Sequence, residues 1–484
     1  MSLQSAPLLS LDFLPARPVE IEISSAPLTS DAGLLPIRQF DQAIRFTEQF
    51  AAALEDRRNP ALVQQSNTSM VRQRIYGVLA DYEDQNDHDT LRSDPVFKLL
   101  ADRLPDGPDL ASQPTLSRFE NAVSIADLWR LRDVFVDLFI QSFDEPPKHL
   151  TFDIDPFDDP AHGEQQLIMF HAYYNQYQYL PVAVTCAEND MVLLIGLRFG
   201  TCQPWLGVDS DLRYLMGRLR EVWPDVHVHA RADSGLSVPL MYEVCEELGI
   251  EYTFGIGVNA RLRALGADLE TQALEAHRET GQPQRLFRPV DYQARGWPKP
   301  RSVVLKVESN AEGLNRRAVV TNRPGCRVLP EATYDDYAMR GESENRNKEL
   351  KVELHAGRLS DHRFVANHFR LYLHAAALNL LARLRRVVAR PRPTAAEVGQ
   401  PADLPIDAID GSSRKKFFNK RRERDPLGEG FACTWRTRLI KVAAEVITRS
   451  RRVIVRLSAS WPHVDHFLEV SRIVGSLRVR PAPA

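Results

Sequence analysis

A mixed α/β core flanked by helical segments is the fold class that the sequence predicts, and three observations lead to it. Between Leu150 and Asp155 apolar and polar residues alternate with the two-residue repeat of a strand, whereas the apolar residues before Lys148 recur at helical spacing. From there to about residue 256, strand-like runs are followed by alternating helix and strand. Beyond residue 334 helical spacing returns, after a stretch that reads as strands.

The chain has 484 residues, too many for one ordinary domain at about 100 to 200 residues each. With 44% hydrophobic and 26% charged residues it has the composition of a globular protein able to bury a sizeable core. No apolar run approaches the roughly 20 residues that span a bilayer. The N-terminus also lacks a basic stretch leading into an apolar one, so a cytoplasmic protein without membrane contact is expected. Cys186, Cys202, Cys245, Cys326 and Cys433 are scattered without a C-x-x-C pair, which argues against a zinc cage and a disulfide framework. The net charge of -3 hides an asymmetry: acidic residues crowd positions 81–94 and 153–164, basic ones 383–392, 414–424 and 436–456. Clustered basic residues, more than total charge, decide whether nucleic acid binds.

Taken in order, residues 1–27 carry several prolines and no sustained period, and read as an arm. Residues 28–145 read as a helical domain. Ile37, Phe40, Ile44, Phe46, Phe50 and Leu54 mark one helix, Thr68 to Tyr82 a second, and Leu128, Leu131, Val134, Phe135 and Leu138 a third. The first part of the core, 146–259, has strands at Leu150–Asp155, Gln166–Tyr173, Leu180–Thr185, Met191–Leu197, Val226–Ala232 and Tyr252–Ile256. Helices at Asp209–Val222 and Val238–Leu248 complete it. Residues 260–333 read as a β-rich insertion with strands near Leu286–Tyr292, Val303–Val307 and Ala318–Thr321. The second part of the core, 334–390, is helical near Tyr334 and from Phe364 to Val388. A proline-rich linker and a basic helical region fill 391–484.

Acids stand at the carboxyl ends of two strands: Asp153-Ile-Asp155-Pro-Phe-Asp158-Asp159 after the first, and Asp233-Ser-Gly235 after Val226–Ala232. Such carboxylates converge on one crevice, where hard oxygen ligands suit Mg²⁺ or Mn²⁺. Either cluster alone reads equally well as a turn. On a continuous helix, Tyr337, Arg340, Glu344, Lys348 and Lys351 fall within roughly an 80° sector, setting an acid beside an aromatic ring and several cations. That face can offer a metal ligand next to phosphate-binding groups. It can also be a solvated face held by Arg340–Glu344 and Glu344–Lys348 pairs.

These residues resemble the DDE transposases of bacterial insertion sequences, in the branch with a Y-x2-R-x3-E-x6-K signature, which Tyr337, Arg340, Glu344 and Lys351 match at all four positions. Tyr82-Glu-Asp-Gln-Asn-Asp-His-Asp89 with Leu91-Arg-Ser-Asp-Pro95, the segment Ser112 to Asn121, and His162-Gly163-x-Gln165 are similar to one subgroup. The likeness runs from about residue 29 to 470. It implies a ribonuclease H-like mixed-sheet core interrupted by the β-rich insertion. Asp155, Asp233 and Glu344 would be its catalytic acids and hold two Mg²⁺ or Mn²⁺ ions. The family usually has a hydroxyl residue where Phe157 stands, and Asp153, on the same strand face as Asp155, remains an alternative first acid.

The resemblance further implies a protein that binds double-stranded DNA, both the element's terminal inverted repeats and its target. It would act as a homodimer on that DNA and associate with the bacterial nucleoid. Tyr337, Arg340, Lys348 and Lys351 are expected near the cut. Lys415, Lys416, Arg421 and Arg422, in a basic run interleaved with Phe417 and Phe418, are expected to grip DNA elsewhere. Arg72, Arg74 and the Thr115–Arg118 helix start are weaker candidates, and the acidic Tyr82–Asp94 reads as a structural turn. A nuclease without strand transfer and a non-catalytic DNA-binding protein are the competing readings.

Overall fold

The computed structural model describes residues 23–389 and 430–479, together with residues 9–11, 13, 17 and 19–21. Helix α1 (Leu34–Ile44) buries Leu34, Ile37, Phe40 and Ile44, the three-to-four spacing of a core-facing stripe. It stops at Arg45, whose left-handed backbone (φ 57°) leads into α2 (Phe46–Ala52). Helix α3 (Asn67–Leu79) starts where the Ser66 hydroxyl accepts a hydrogen bond from Ser69 N, and α4 (Gln113–Ala122) opens with Pro114 in its first turn. Ser124 and Asp127 form a reciprocal capping box at the start of α5 (Ile125–Ile140).

At His149 the period changes to two. Strands β1 (His149–Pro156), β2 (Val182–Cys186) and β3 (Val192–Gly196) form an antiparallel meander. On the other side of β1, β4 (His227–Ala232) and β5 (Glu251–Ile256) run parallel to it. Parallel neighbours need crossovers, which α6 (Val208–Val222) and α7 (Pro239–Glu247) supply. Strands β6 (Gln284–Tyr292), β7 (Arg301–Asn310) and β8 (Gly313–Thr321) extend the same sheet, whose order is β6-β7-β8-β5-β4-β1-β2-β3. Helix α8 (Ala267–Thr280) covers β6 and β7. After β8 come α9 (Pro330–Ala338), α10 (Gly341–Lys348), a π turn at Glu349–Glu353 and the long α11 (Phe364–Val388).

Two cores hold the sheet. Phe152, Ile154, Val184 and Val228 pack with Leu212, Leu215 and Leu219 of α6. Ala183, Val192 and Ile195 instead join α11 and the N-terminal helices. Helix α5 lies along edge strand β3 and supplies both, Val136 and Phe139 to the first core, Leu131 and Phe135 to the second. The mixed sheet with its leading three-strand meander is the arrangement expected from the sequence.

Several elements differ from expectation. The run Gln166–Tyr173 contributes only Met169–His171, in a separate three-stranded sheet with Asp159–Pro160 and Gln176–Tyr179. Its Met169 and Phe170 are exposed, so no buried face draws it into the main sheet. The expected β-rich insertion opens with helices at Ala260–Leu265 and Ala267–Thr280, and its strands continue the main sheet through β8 pairing antiparallel with β5. The basic C-terminal region is helical only in part. Ala444–Arg449 and Arg452–Leu457 form a hairpin, which Leu28–Thr29 joins, followed by α12 (Val464–Gly475). The β-branched residues Val446, Ile447, Val453, Ile454 and Val455 suit a pleated surface and outweigh the arginines between them.

Candidate active site

Asp155 and Asp233 sit at the ends of adjacent parallel strands because β1 and β4 pair in register, His227 opposite His149 through Ala232 opposite Ile154. Asp233 caps a short 3₁₀ turn, its Oδ1 accepting from Gly235 N at 2.9 Å. The Asp155 side chain is only 16% exposed. Burial pushes its carboxyl up to about 7, with the charges of Asp233 and Glu344 adding to this, against the opposing pull of Arg340 and a hydrogen bond from Asn347. Asn347 Nδ2 donates to Asp155 Oδ2 at 2.8 Å. Two acids from distant segments thus bear electrostatically on Asp155.

Asp153 occupies the same strand face but is spoken for. It is fully buried, with its oxygens 2.7 and 2.9 Å from Arg231 Nε and Nη2 and 3.3 Å from Arg346 Nη1. Arg231 Nη1 also donates to Asp336 O at 2.7 Å, and Arg323 Nη1 meets Asp336 Oδ2 at 2.6 Å. Helix α9 therefore rests on the sheet through buried ion pairs. Arg346 also bonds Asp190, tying α10 to the turn between β2 and β3.

Arg340 stands between two of the acids, Nη1 3.9 Å from Asp155 Oδ2 and Nη2 2.8 Å from Glu344 Oε1. Burial works against its charge, but Tyr337, Asp155 and Glu344 together raise its pKa. Tyr337 fits because residue 255 is glycine: a β-carbon there would lie 2.5 Å from Tyr337 Oη. Among the described residues no three acid, histidine or cysteine side chains converge closely enough to grip an ion. The donor chemistry nevertheless suits divalent cations. Asp155 and Glu344 face a single guanidinium, which takes the place of a cation between them, and Asp233 ends the neighbouring strand.

The five residues expected on one helix face, the four of the signature and Lys348, do not share it. Tyr337 ends α9, Arg340 is the N-cap of α10, Glu344 lies within α10 with its side chain 63% exposed, and Lys351 falls in the π turn. Lys351 Nζ pairs with Asp158 Oδ1 at 2.7 Å, and Lys348 is exposed. Arg72 and Arg74 are buried, in ion pairs with Asp102 and Glu120, and so do not face DNA. Arg118 on α4 bonds its own Thr115. Lys415, Lys416, Arg421 and Arg422 lie outside the described residues. Sequence reasoning missed Asn347, Arg231 and Arg346. Asn347, one turn after Glu344, carried a faint positional signal, whereas the arginine pairs span long sequence separations and carried none.

The three other phrases of the resemblance meet at the loop between α10 and α11. Arg358 pairs with Glu83, and His355 Nε2 lies 2.9 Å from Asp81 Oδ1. Gln165 Nε2 donates to Leu359 O at 2.6 Å, and His162 Nε2 lies 3.0 Å from Gly357 O. Asn121 Nδ2 donates to Asp361 Oδ2 at 2.8 Å. These contacts fix the loop that follows Glu344, which agrees with reading the acidic segment as structural.

A family model described as transposase DDE domain group 1 matches residues 12–401. No curated protein matches the chain. Among solved structures, a piggyBac transposase in a synaptic complex with hairpin DNA, determined by cryo-electron microscopy, aligns with 95% of this chain and 89% of its own at 11% identity, with a TM-score of 0.39.

Proposed function

The chain belongs to the DDE-domain transposases of group 1, and on that premise we propose that it mobilises a bacterial insertion sequence by cutting DNA at the element's terminal inverted repeats and joining the ends to a target. As a DDE transposase it catalyses DNA cleavage and transesterification, and its family uses divalent metal ions. The observation that carries the finer reading is geometric: Asp155 and Asp233 follow one another at the ends of adjacent paired strands, and Arg340 lies against both Asp155 and Glu344. Asp155 is the first acid of the triad in this proposal, since Asp153 is enclosed by Arg231 and Arg346.

Asp155, Asp233 and Glu344 would hold two Mg²⁺ or Mn²⁺ ions, which when bound activate water and stabilise the departing oxygen in an in-line displacement. Asn347 orients Asp155 by holding Oδ2. The Gly235 amide fixes one oxygen of Asp233. Glu344, the most exposed of the three, approaches from the helix side. Arg340 is the group best placed to grip a phosphate by forked hydrogen bonds once its carboxylate partners are otherwise neutralised. Lys348, exposed one turn after Glu344, adds a point charge for the backbone, and the Tyr337 ring lies beneath the Arg340 guanidinium, 6.0 Å away. Lys351 braces Asp158 in this structure, so its part in DNA contact is the smaller.

The basic run with Lys415, Lys416, Arg421 and Arg422 supplies further grip on the duplex, and a homodimer brings two ends together. The test is a supercoiled donor plasmid carrying the inverted repeats that flank the coding region, incubated with the protein and Mg²⁺. Joined products are expected. Cuts without joining would mean a nuclease, and retention without cuts a binding protein.

A further inference from the structure

Beyond Lys441 the chain forms the hairpin of Ala444–Arg449 with Arg452–Leu457, which the proposed chemistry leaves unused. Its register sorts the side chains onto two faces. Ala444 opposite Leu457, Val446 opposite Val455 and Thr448 opposite Val453 make one face. Val446, Val453 and Val455 of that face pack on the core shared by the N-terminal helices and α11. The other face reads, from root to tip, Glu445 opposite Arg456, Ile447 opposite Ile454 and Arg449 opposite Arg452. The two-residue turn, Ser450 and Arg451, adds a third arginine to the tip.

This tip gathers positive charge against the interest of the fold. Arg449 and Arg452 stand directly opposite each other in the ladder, where like charges are destabilising. Both are exposed, as are Ser450 and Arg451. Among the described residues, Arg456 alone of the hairpin's four arginines has an acid partner, Glu445 Oε2 at 2.7 Å. Residues 446–464 contain no Asp or Glu, so the sequence around the tip offers no counter-charge. Every side chain from Thr448 to Arg452 is instead a hydrogen-bond donor. Charge on an open edge strand guards against unwanted strand pairing, which accounts for Arg452 and Arg456 on the outer strand. It does not account for Arg449, on the middle strand of the sheet, or for Arg451 in the turn.

Resting on the proposed function, we propose that the hairpin tip is a phosphate grip on the duplex at the element's end, with Arg449, Arg451 and Arg452 on the DNA backbone. A row of phosphates relieves the repulsion between Arg449 and Arg452 and supplies the acceptors that the protein withholds, with the Thr448 and Ser450 hydroxyls as further donors. The shape suits a duplex, since a two-stranded ribbon fits the width of its major groove. The valines of the opposite face hold the hairpin on the core, so the arginines are presented from a fixed element rather than a loose tail.

The test uses the full-length protein and a fluorescein-labelled duplex of the inverted repeat that flanks the coding region, without divalent metal so that nothing is cut. Arg449→Gln, Arg451→Gln and Arg452→Gln together are expected to weaken binding about tenfold at about 0.15 M salt. They should also flatten the dependence of log affinity on log salt by up to about 0.9 for each arginine. The same three positions changed to Lys keep most of that slope, because charge is what displaces the counterions. Arg449→Gln alone should raise the melting temperature slightly, since it removes the like-charge pair. Unchanged affinity and slope in the triple Gln variant overturn the grip while leaving the triad untouched. A lowered melting temperature for Arg449→Gln overturns it too, by assigning that arginine to the fold. So does a shift of the triple Gln variant from dimer to monomer in sedimentation without DNA, which identifies the hairpin as a contact between copies. Failure of triad variants to stop cleavage would sink the proposed function, with the salt slopes still read independently.

Discussion

Asp155 shows how far a single residue's setting decides its behaviour. In an unfolded chain its carboxyl ionises near pH 4, and in the folded protein only at about 7. Between those values the folded state holds the extra proton, so stability falls as pH rises through that window. Asp155→Asn removes the penalty, and the amide oxygen still accepts from Asn347. The variant should be more stable than the wild type by roughly 2–4 kcal/mol at pH 8, with no gain at pH 4. Urea unfolding without metal measures this. Adding Mn²⁺ at pH 8 should raise the melting temperature of the wild type and not that of the variant. The choice between Asp153 and Asp155 was open in the sequence because both share a strand face. Arg231, which closes Asp153, arrives from β4 through the fold and is invisible to local spacing.

The segment from Tyr337 to Lys351 carries the lesson at the scale of elements. A regular helix would place Tyr337, Arg340, Glu344, Lys348 and Lys351 in one sector. The real path tightens where Arg340 N bonds Tyr337 O and Ser343 N bonds Arg340 O, then widens into the π turn closed by Leu354 N on Glu349 O. Ion pairs impose this, some buried and some half-exposed: Arg346 with Asp153 and Asp190, Glu349 with Arg385, and Lys351 with Asp158. Arg346→Ala leaves Asp153 buried with one partner fewer and should cost about 3 kcal/mol in unfolding free energy. Gly255→Ala should destabilise by about 1–3 kcal/mol through collision with Tyr337 Oη. Adding Tyr337→Phe should restore most of that loss, since the ring carbon Cζ lies 3.4 Å from the new methyl. A double variant no more stable than Gly255→Ala alone would contradict the packing described for Tyr337.

For the molecule as a whole, the core strands were legible because each has clean alternation or a continuous apolar run bounded by turns. The extension of the sheet by β6–β8 was not legible, because strand partners are chosen by long-range pairing that no window of sequence contains. The N-terminal helices read well as helices. Their sharing of one core with α11, and the clamp they place on the loop after Glu344, emerged only in three dimensions. Among the described residues no helix is long and apolar enough to cross a membrane. If the basic run grips duplex DNA, changing Lys415, Lys416, Arg421 and Arg422 to Ala should flatten the dependence of log affinity on log salt by up to about 0.9 for each lost contact. The claim on which the rest depends is that Asp155, Asp233 and Glu344 form one cutting centre. Its most direct test is cleavage of a donor plasmid by Asp233→Asn and Glu344→Gln, with end binding followed in parallel. Binding close to that of the wild type with cutting abolished is the predicted result, and undiminished cutting by either variant would contradict it.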